Sequence, residues 1–338
     1  MIAATPEFEA RCRRLLVGLD LIAPDDDLAV TPLTGGVASD IALVRAGSRQ
    51  WCVKFALAQL KVAEVWLAPV HRNKAEYSWL KAASRVVPAS VPKLYGRSDR
   101  EGGFAMEYLE GDQVYLWKAA LLKAMPDRGE AARVGDSLGH IHAASTATDF
   151  DAAPFQNRDD FHVIRLEPYL LFTASRHPAV ADRLRLLAER HYKADRVLVH
   201  GDVSPKNILL RDETPVILDA ECATMGDPSF DVAFCLNHLI LKALHLPQCR
   251  GRLLANVLQF WAAYSARVIW EDTALLESRV CELLPALMLA RIDGKSPVEY
   301  LTEVERIVIR RIAVPLIAAP KARLDDLILL LVAELEGS

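Results

Sequence analysis

The chain is short of cysteine, of long apolar runs and of excess charge of either sign. Its six cysteines (Cys12, Cys52, Cys222, Cys235, Cys249 and Cys281) are scattered through 338 residues, and none stands in a Cys-x-x-Cys pair. That spacing implies neither a zinc site nor a disulfide framework, and buried, reduced thiols are the expectation. The longest apolar run, Leu327 to Ala333, is far too short to cross a bilayer. No basic-then-apolar signal opens the sequence, so the expected location is the cytoplasm. A formal net charge of -4 argues against a general nucleic-acid-binding surface. There is no internal repeat and no low-complexity tract. The length suggests about two domains or lobes. A hydrophobic content of 52% with 25% charged residues suits a soluble protein with a sizeable core.

What the sequence does hold is concentrated in one stretch, Val197-Leu-Val-His200-Gly201-Asp202-Val-Ser-Pro-Lys-Asn207-Ile-Leu-Leu210, followed by Pro215-Val-Ile-Leu-Asp219-Ala-Glu221. Short apolar runs flank a polar hairpin, and a third run ends on a carboxylate. Buried strands that carry Asp202, Asn207 and Asp219 to one spot produce this pattern. Two carboxylates and an amide with no cation nearby repel one another and favour a hard cation bound through oxygen. Phosphoryl transfer makes that demand: one group receives a hydroxyl proton while others hold magnesium against nucleotide phosphates.

His-Gly-Asp-x4-Asn followed by Asp-x-Glu resembles the aminoglycoside phosphotransferase family, which includes choline, methylthioribose, homoserine and fructosamine kinases and shares the protein-kinase fold. Asp219-x-Glu221 is also similar to methylthioribose kinase, although Asn207 stands where that enzyme has a serine. The resemblance implies an α+β, two-lobed protein-kinase-like fold. A small antiparallel-sheet lobe (residues 1–111) would carry the nucleotide, and a large, mostly helical lobe (112–338) would carry catalysis and the acceptor. The implied cofactors are ATP and Mg2+. Asp202 becomes the proton acceptor, Asn207 and Asp219 the magnesium ligands, and Glu221 a further ligand, directly or through water. His200 would brace the loop by hydrogen bonds, with a general-base role as the alternative, and Asp231 would cap the loop's backbone N–H groups or simply cap the helix that follows it. Ser204 replaces the lysine of the protein-kinase loop, Gly201 its arginine, and Asp-Ala-Glu its Asp-Phe-Gly. These departures point to small-molecule acceptors. Lys206 beside the loop either reaches the γ-phosphate or is solvated.

Along the chain, a helix over Glu7 to Leu21 carries Leu15, Leu16 and Leu19 at helical spacing and is expected to pack. Strands follow at Leu28 to Leu33, Ile41 to Arg45 and Trp51 to Phe55, around Thr34-Gly35-Gly36-Val37-Ala38-Ser39. Glycines let backbone N–H groups approach phosphates, which makes Gly35, Gly36 and Ser39 nucleotide candidates, although Gly-Gly also suits an ordinary tight turn. Alternation puts Trp51, Val53 and Phe55 on one strand face and Lys54 on the other. Lys54 faces either solvent or the cleft; by resemblance it binds phosphates, paired with Glu76, with Glu64 as the alternative partner. The stretch from Leu57 to Pro69 looks like an inserted helix over the cleft. Ala105 to Gly111 resembles an inter-lobe hinge whose backbone at Glu107 to Leu109 would meet the adenine edge.

Beyond Gly111 the periodicity is helical at Glu130 to Ser145 and Ala179 to Lys193, and through the C-terminal segments Arg252–Trp270, Leu276–Ala290, Leu301–Val314 and Leu324–Leu335. His140 and His142, two apart, diverge on a helix and read as polar packing. Asp149 to Tyr169 lacks periodicity and reads as a loop. By resemblance it lines the acceptor pocket, which makes His162, Arg165 and Tyr169 substrate candidates; a plain surface loop is the alternative. Arg291, in a charged turn-like segment, joins an acceptor contact or a loop salt bridge. The expected partner is a small-molecule hydroxyl acceptor, with neither nucleic acid nor membrane. An aminoglycoside-modifying kinase and a non-catalytic nucleotide-binding protein of the same fold are the alternatives, the first weakened by the lack of an acidic run in the C-terminal helices.

Overall fold

The computed structural model describes residues 4–33, 39–57 and 72–336. Helix α1 (Pro6–Gly18) starts at the Thr5 N-cap with proline in its first turn. It covers the outer face of a five-stranded antiparallel sheet with strands in the order β1-β2-β3-β5-β4: β1 (Ala29–Pro32), β2 (Ser39–Ala46), β3 (Arg49–Ala56), β4 (Leu94–Ser98) and β5 (Gly103–Met106). Cys12, Leu15 and Leu16 of α1 pack on Trp51, Val53 and Phe55, which are the face assigned by alternation. Burying each of the two leucines contributes about 1.5–3 kcal/mol. The opposite face of β3 holds Cys52 and Lys54, and against it lies α2 (Arg72–Ser84), which buries Trp79 and Leu80.

After the sheet the chain forms β6 (Val114–Leu116), α3 (Trp117–Leu122) and α4 (Glu130–Ser145). Residues 149–157 follow the irregular path read from the sequence, apart from one short 3-10 turn at Ala153–Phe155, but 158–169 are helical and not a loop. Helix α5 (Arg158–Phe161) runs directly into a π-helical segment, His162–Leu171, and then into α6 (Phe172–Arg176). The wide π turn takes Ile164, Leu166 and Leu170 off the 3.6-residue spacing, and Pro168 within it mimics a loop signal, so a periodicity reading finds no helix. Helix α7 (Ala181–Lys193) then leads into β7 (Val197–Val199), β8 (Ile208–Arg211), β9 (Thr214–Ile217) and β10 (Thr224–Gly226). These form two small antiparallel sheets, β10-β7 and β6-β8-β9.

Helix α8 (Ser229–His245) is buried along nearly its whole length and is the axis of the helical part, with α9 (Arg250–Ser265), α10 (Thr273–Asp293), α11 (Glu303–Ala318) and α12 (Leu324–Glu336) in the layers around it. A capping box, Thr302 with Glu305, opens α11. All six cysteines are free, and burial raises Cys52, Cys222 and Cys235 above their ordinary thiol range. Among the described residues no helix is long and apolar enough to cross a membrane.

Candidate active site

The site lies where the β7–β8 connection, the end of β9 and the inner face of β3 meet. Its backbone is held by Asp231 in the first turn of α8. One carboxylate oxygen accepts from the His200 N–H at 2.6 Å and the other from the Gly201 N–H at 2.8 Å. His142 Nε2 lies 3.3 Å from the same carboxylate, with its Nδ1 2.9 Å from the Tyr264 hydroxyl. The helix begins at Ser229, so Asp231 is not its N-cap. The apolar run from Val232 hides the helix start, because Ser229 and Phe230 are already helical. His140 points away beside Asp136, so the two histidines diverge as their spacing requires.

Burial holds the His200 imidazole below its ordinary pKa, and hence neutral. Its Nδ1 accepts from the Asp202 N–H at 3.1 Å, which makes Nε2 the protonated nitrogen, donating to the Leu218 carbonyl at 3.1 Å. The ring stands edge-on to Trp79, 4.7 Å between centroids, and so links α2 to the loop. Gly201 takes φ +81°, and a Cβ there would lie 2.9 Å from the Cys222 Cβ. Left-handed backbone and lack of room both demand glycine, so Gly201→Ala is expected to destabilise the fold by about 2–4 kcal/mol. Thermal denaturation reads this directly, and an unchanged Tm would refute it.

Asp202 is almost fully buried, and its carboxylate meets Arg165 Nη2 at 2.9 Å and Lys206 Nζ at 3.0 Å. Burial alone would raise its pKa, but Lys206 and Arg165 outweigh that and hold it below 3.8, so it stands ionised and able to accept a proton at neutral pH. Ser204 Oγ donates to it at 3.3 Å. The amide nitrogen of Asn207 donates to the Asp202 carbonyl at 3.1 Å, while its backbone carbonyl accepts from Leu218 N–H at 2.9 Å. Its Oδ1 therefore keeps its lone pairs free among the described residues.

Asp219 follows β9 with φ +70°, a left-handed turn that aspartate tolerates better than most residues. Its carboxylate bonds the Lys54 ammonium, which also donates to Glu76 at 2.8 Å. Lys54 and Glu76 are both buried. Burial pulls the Lys54 pKa down, but Asp219 and Glu76 more than reverse that, and the ammonium stays charged. Burial raises Asp219 as well, yet Lys54 and Lys206 hold it well below the usual carboxylate range. Glu221 shares one oxygen with Arg72 Nε at 2.9 Å, a fully buried guanidinium on α2 that the sequence reading missed.

Among the described residues no three His, Cys, Asp or Glu side chains form a self-sufficient metal site. The oxygens there that could serve a cation are the amide oxygen of Asn207, the Asp219 carboxylate and the Glu221 oxygen not bonded to Arg72. Hard oxygens of this kind suit a divalent cation. At the foot of the sheet, Glu107 N–H donates to the Lys93 carbonyl at 2.8 Å and its carboxylate pairs with Arg211 at 2.8 Å. Among the described residues the Leu109 N–H has no protein partner. Ser39 begins β2, buried, opposite Ala56. Gly35 and Gly36, the stretch from residue 58 to Pro69 and the alternative partner Glu64 lie outside the described residues.

The four acceptor candidates separate. His162 stands edge-on to Tyr192, 5.4 Å between centroids, in a surface groove with Asp159 and Arg185, and has no contact with Asp202 or its partners among the described residues. Arg165 is committed to the loop: besides Asp202 it bonds the Gly201 carbonyl and, at 3.0 Å, the Ile164 carbonyl. Tyr169, one long turn further, lies 6.0 Å from the Arg165 guanidinium and accepts from Arg291 Nη1 at 3.2 Å. Arg291 lies in the last turn of α10 rather than in a loop, and it takes the Ser296 carbonyl and hydroxyl in place of a salt bridge.

Residues 29–269 match the family profile described as the phosphotransferase enzyme family. A methylthioribose kinase of Erwinia tasmaniensis is 24% identical over 259 residues, 65% of this chain and 63% of the relative, so the chain spans less than two thirds of that relative's length. Among solved structures, a choline/ethanolamine kinase family protein from Mesorhizobium loti superposes with a TM-score of 0.53 at 17% identity, covering 98% of this chain and 99% of the other. An amicoumacin kinase in complex with AMP-PNP, Ca2+ and Ami gives 0.54 at 14% identity, with 94% and 97% covered. The two likenesses support one fold: an antiparallel sheet followed by a largely helical remainder, as in protein kinases.

Proposed function

The chain belongs to the phosphotransferase enzyme family, and on that premise we propose that it moves the γ-phosphoryl group of ATP to a hydroxyl of a small molecule, with Mg2+ as the metal. The observation that carries this reading is the pair of charge centres facing each other. Lys54 is held between Glu76 and Asp219, and Asp202 is held ionised by Arg165 and Lys206. A nucleotide triphosphate and an alcohol are the reactants that such a pair serves.

Lys54 would neutralise the α- and β-phosphates, kept in place by Glu76. Asn207, Asp219 and the free oxygen of Glu221 would hold Mg2+, which when bound supplies charge to phosphate oxygens. The Glu107 carbonyl and Leu109 N–H would take the adenine edge. Ser39, with Gly35 and Gly36, would approach the phosphates. Asp202 would orient the acceptor hydroxyl and take its proton as the new O–P bond forms and the bond to the β–γ bridging oxygen breaks, releasing ADP. The transition state of such transfers is loose, so positioning and charge contribute more than a strong base, which fits a carboxylate of low pKa. A lobe boundary near Gly111 accords with the topology: the five-stranded sheet ends at Met106, and β6 already pairs with β8 of the catalytic hairpin.

The test is Mg-ATP-dependent ADP release with a panel of methylthioribose, other pentoses, choline, ethanolamine, homoserine, fructosyl-lysine and kanamycin. Release that depends on one acceptor supports the reading, and release with none refutes it for these acceptor classes. Glu76→Gln keeps the shape of the Lys54 partner but removes a carboxyl whose pKa burial pushes up to about 7 against the pull of Lys54. Losing a charge-assisted hydrogen bond worth about 1.5–3 kcal/mol is expected to lower kcat/KM for ATP about 10- to 100-fold. An unchanged value would remove Glu76 from the nucleotide site.

A further inference from the structure

Beyond Tyr169 the structure holds a second set of polar groups, in the wall formed by α8, the end of α10 and the segment before α11. Lys242 lies on α8, fully buried, and its ammonium reaches only the His238 carbonyl at 3.3 Å and the face of Tyr300 at 5.1 Å. Among the described residues it has no carboxylate partner. Glu299, whose charge reaches it, is taken by Lys118, and Glu305 is taken by His245 at 3.0 Å and by the Thr302 cap. Three neighbours of Lys242 carry buried polar atoms without a hydrogen bond: His238 Nε2, Arg291 Nε and the Tyr300 hydroxyl.

A buried cation with no anion is costly, and here it is compounded by the charges of Lys118 and Arg291. Burial and those two charges pull the Lys242 ammonium down to about 7, and burial with the same cations holds His238 well below its ordinary value. The cluster is joined to the catalytic loop through a short series of contacts. His238 packs on Phe234 at 5.6 Å, Phe234 on Tyr169 at 5.5 Å, and Arg165 lies 6.0 Å from Phe234 while bonding Asp202. The Lys206 ammonium, on Asp202, is close enough for its charge to act on His238.

We infer that the acceptor is itself an anion, an alcohol bearing a carboxylate or a phosphate, whose charged end is held by Lys242, His238, Arg291 and Tyr300 while its hydroxyl lies at Asp202. This rests on the phosphotransferase reading and narrows it. One oxyanion supplies what the cluster lacks: a counter-charge for Lys242 and Arg291 and acceptors for Arg291 Nε and the Tyr300 O–H. Polycationic and quaternary-ammonium alcohols meet repulsion in the same place. The chemistry of Asp202 and the leaving ADP is unchanged.

Two measurements on the full chain test it. In Mg-ATP turnover, hydroxybutyrate and glycerol phosphate are compared with butanediol and choline. An anionic alcohol is expected to show a KM at least tenfold below the neutral one. Lys242→Met is expected to raise the anion's KM at least tenfold with kcat within a few-fold and the butanediol value unmoved, and Lys242→Arg is expected to restore the anion's preference. Neutral or cationic alcohols used as well as the anions, or an anion KM indifferent to Lys242→Met, overturns the inference. If no alcohol gives ADP, the phosphotransferase reading fails for these alcohols and binding decides the inference alone. With Mg-AMP-PNP present, either anion is expected to raise the Tm of the wild type and not that of Lys242→Met, and Lys242→Met without ligand is expected to melt higher than the wild type. No anion-dependent rise in the wild type, or an equal rise in both, overturns it.

Discussion

Asp202→Asn is expected to lower kcat by about two to four orders of magnitude while ATP binding stays near the wild-type value. The amide has nearly the same shape, so the loop, capped by Asp231 and braced by His200, keeps its conformation. What is lost is the negative charge that Arg165 and Lys206 hold at 2.9 and 3.0 Å and that would orient and receive the hydroxyl proton. The nucleotide contacts assigned to Lys54, Glu76 and Asp219 lie outside the substitution. Turnover with a preferred acceptor and the Kd for Mg-ATP, measured side by side, check both halves. Near-normal turnover would show that Asp202 only shapes the loop. Loss of ATP binding would show that the substitution disturbs more than the proton acceptor.

Asp231→Ala is expected to be the most destabilising single change at the site. It leaves the buried N–H groups of His200 and Gly201 without acceptors, at about 1–3 kcal/mol each, and it deprives the buried His142 of its carboxylate. A total on the order of 3–6 kcal/mol is a large share of the 5–15 kcal/mol typical of a folded protein. The Tm is expected to fall on the order of 10 °C, with activity lost even below the melt because the Asp202 loop is no longer fixed. Asp231→Asn, which keeps one carbonyl acceptor, should fall between the two. A Tm within about a degree of the wild type would mean that other contacts fix the loop.

The parts legible in the sequence are those in which chemistry and local geometry coincide. The turn from β7 to β8 announces itself because Gly201, Asp202 and Asn207 sit at fixed spacing between strands, and Lys54 is placed by the two-residue period of β3. Glu76 is legible because it precedes the apolar Trp79 and Leu80, which turn that face of α2 inward. Other parts depend on contacts between segments far apart in the chain. Nothing local marks Arg165 as the partner of Asp202, since the π segment that presents it has neither helical period nor strand alternation. Arg72 meets Glu221 across 149 positions. Lys242 did leave a signal, a lone cation inside the apolar run of α8, but its lack of a counter-charge is visible only once α10 and the segment before α11 are packed beside it.

The central claim is tested most directly by incubating wild type and Asp202→Asn with Mg-ATP and the acceptor panel extended by hydroxybutyrate and glycerol phosphate, following ADP release and the appearance of phosphorylated acceptor in parallel. The account predicts that one acceptor gains a phosphoryl group in step with ADP release in the wild type and that Asp202→Asn does neither while still binding Mg-ATP. A wild type that binds Mg-ATP yet phosphorylates none of the neutral, cationic or anionic alcohols, or an Asp202→Asn variant that does so as fast as the wild type, would contradict it.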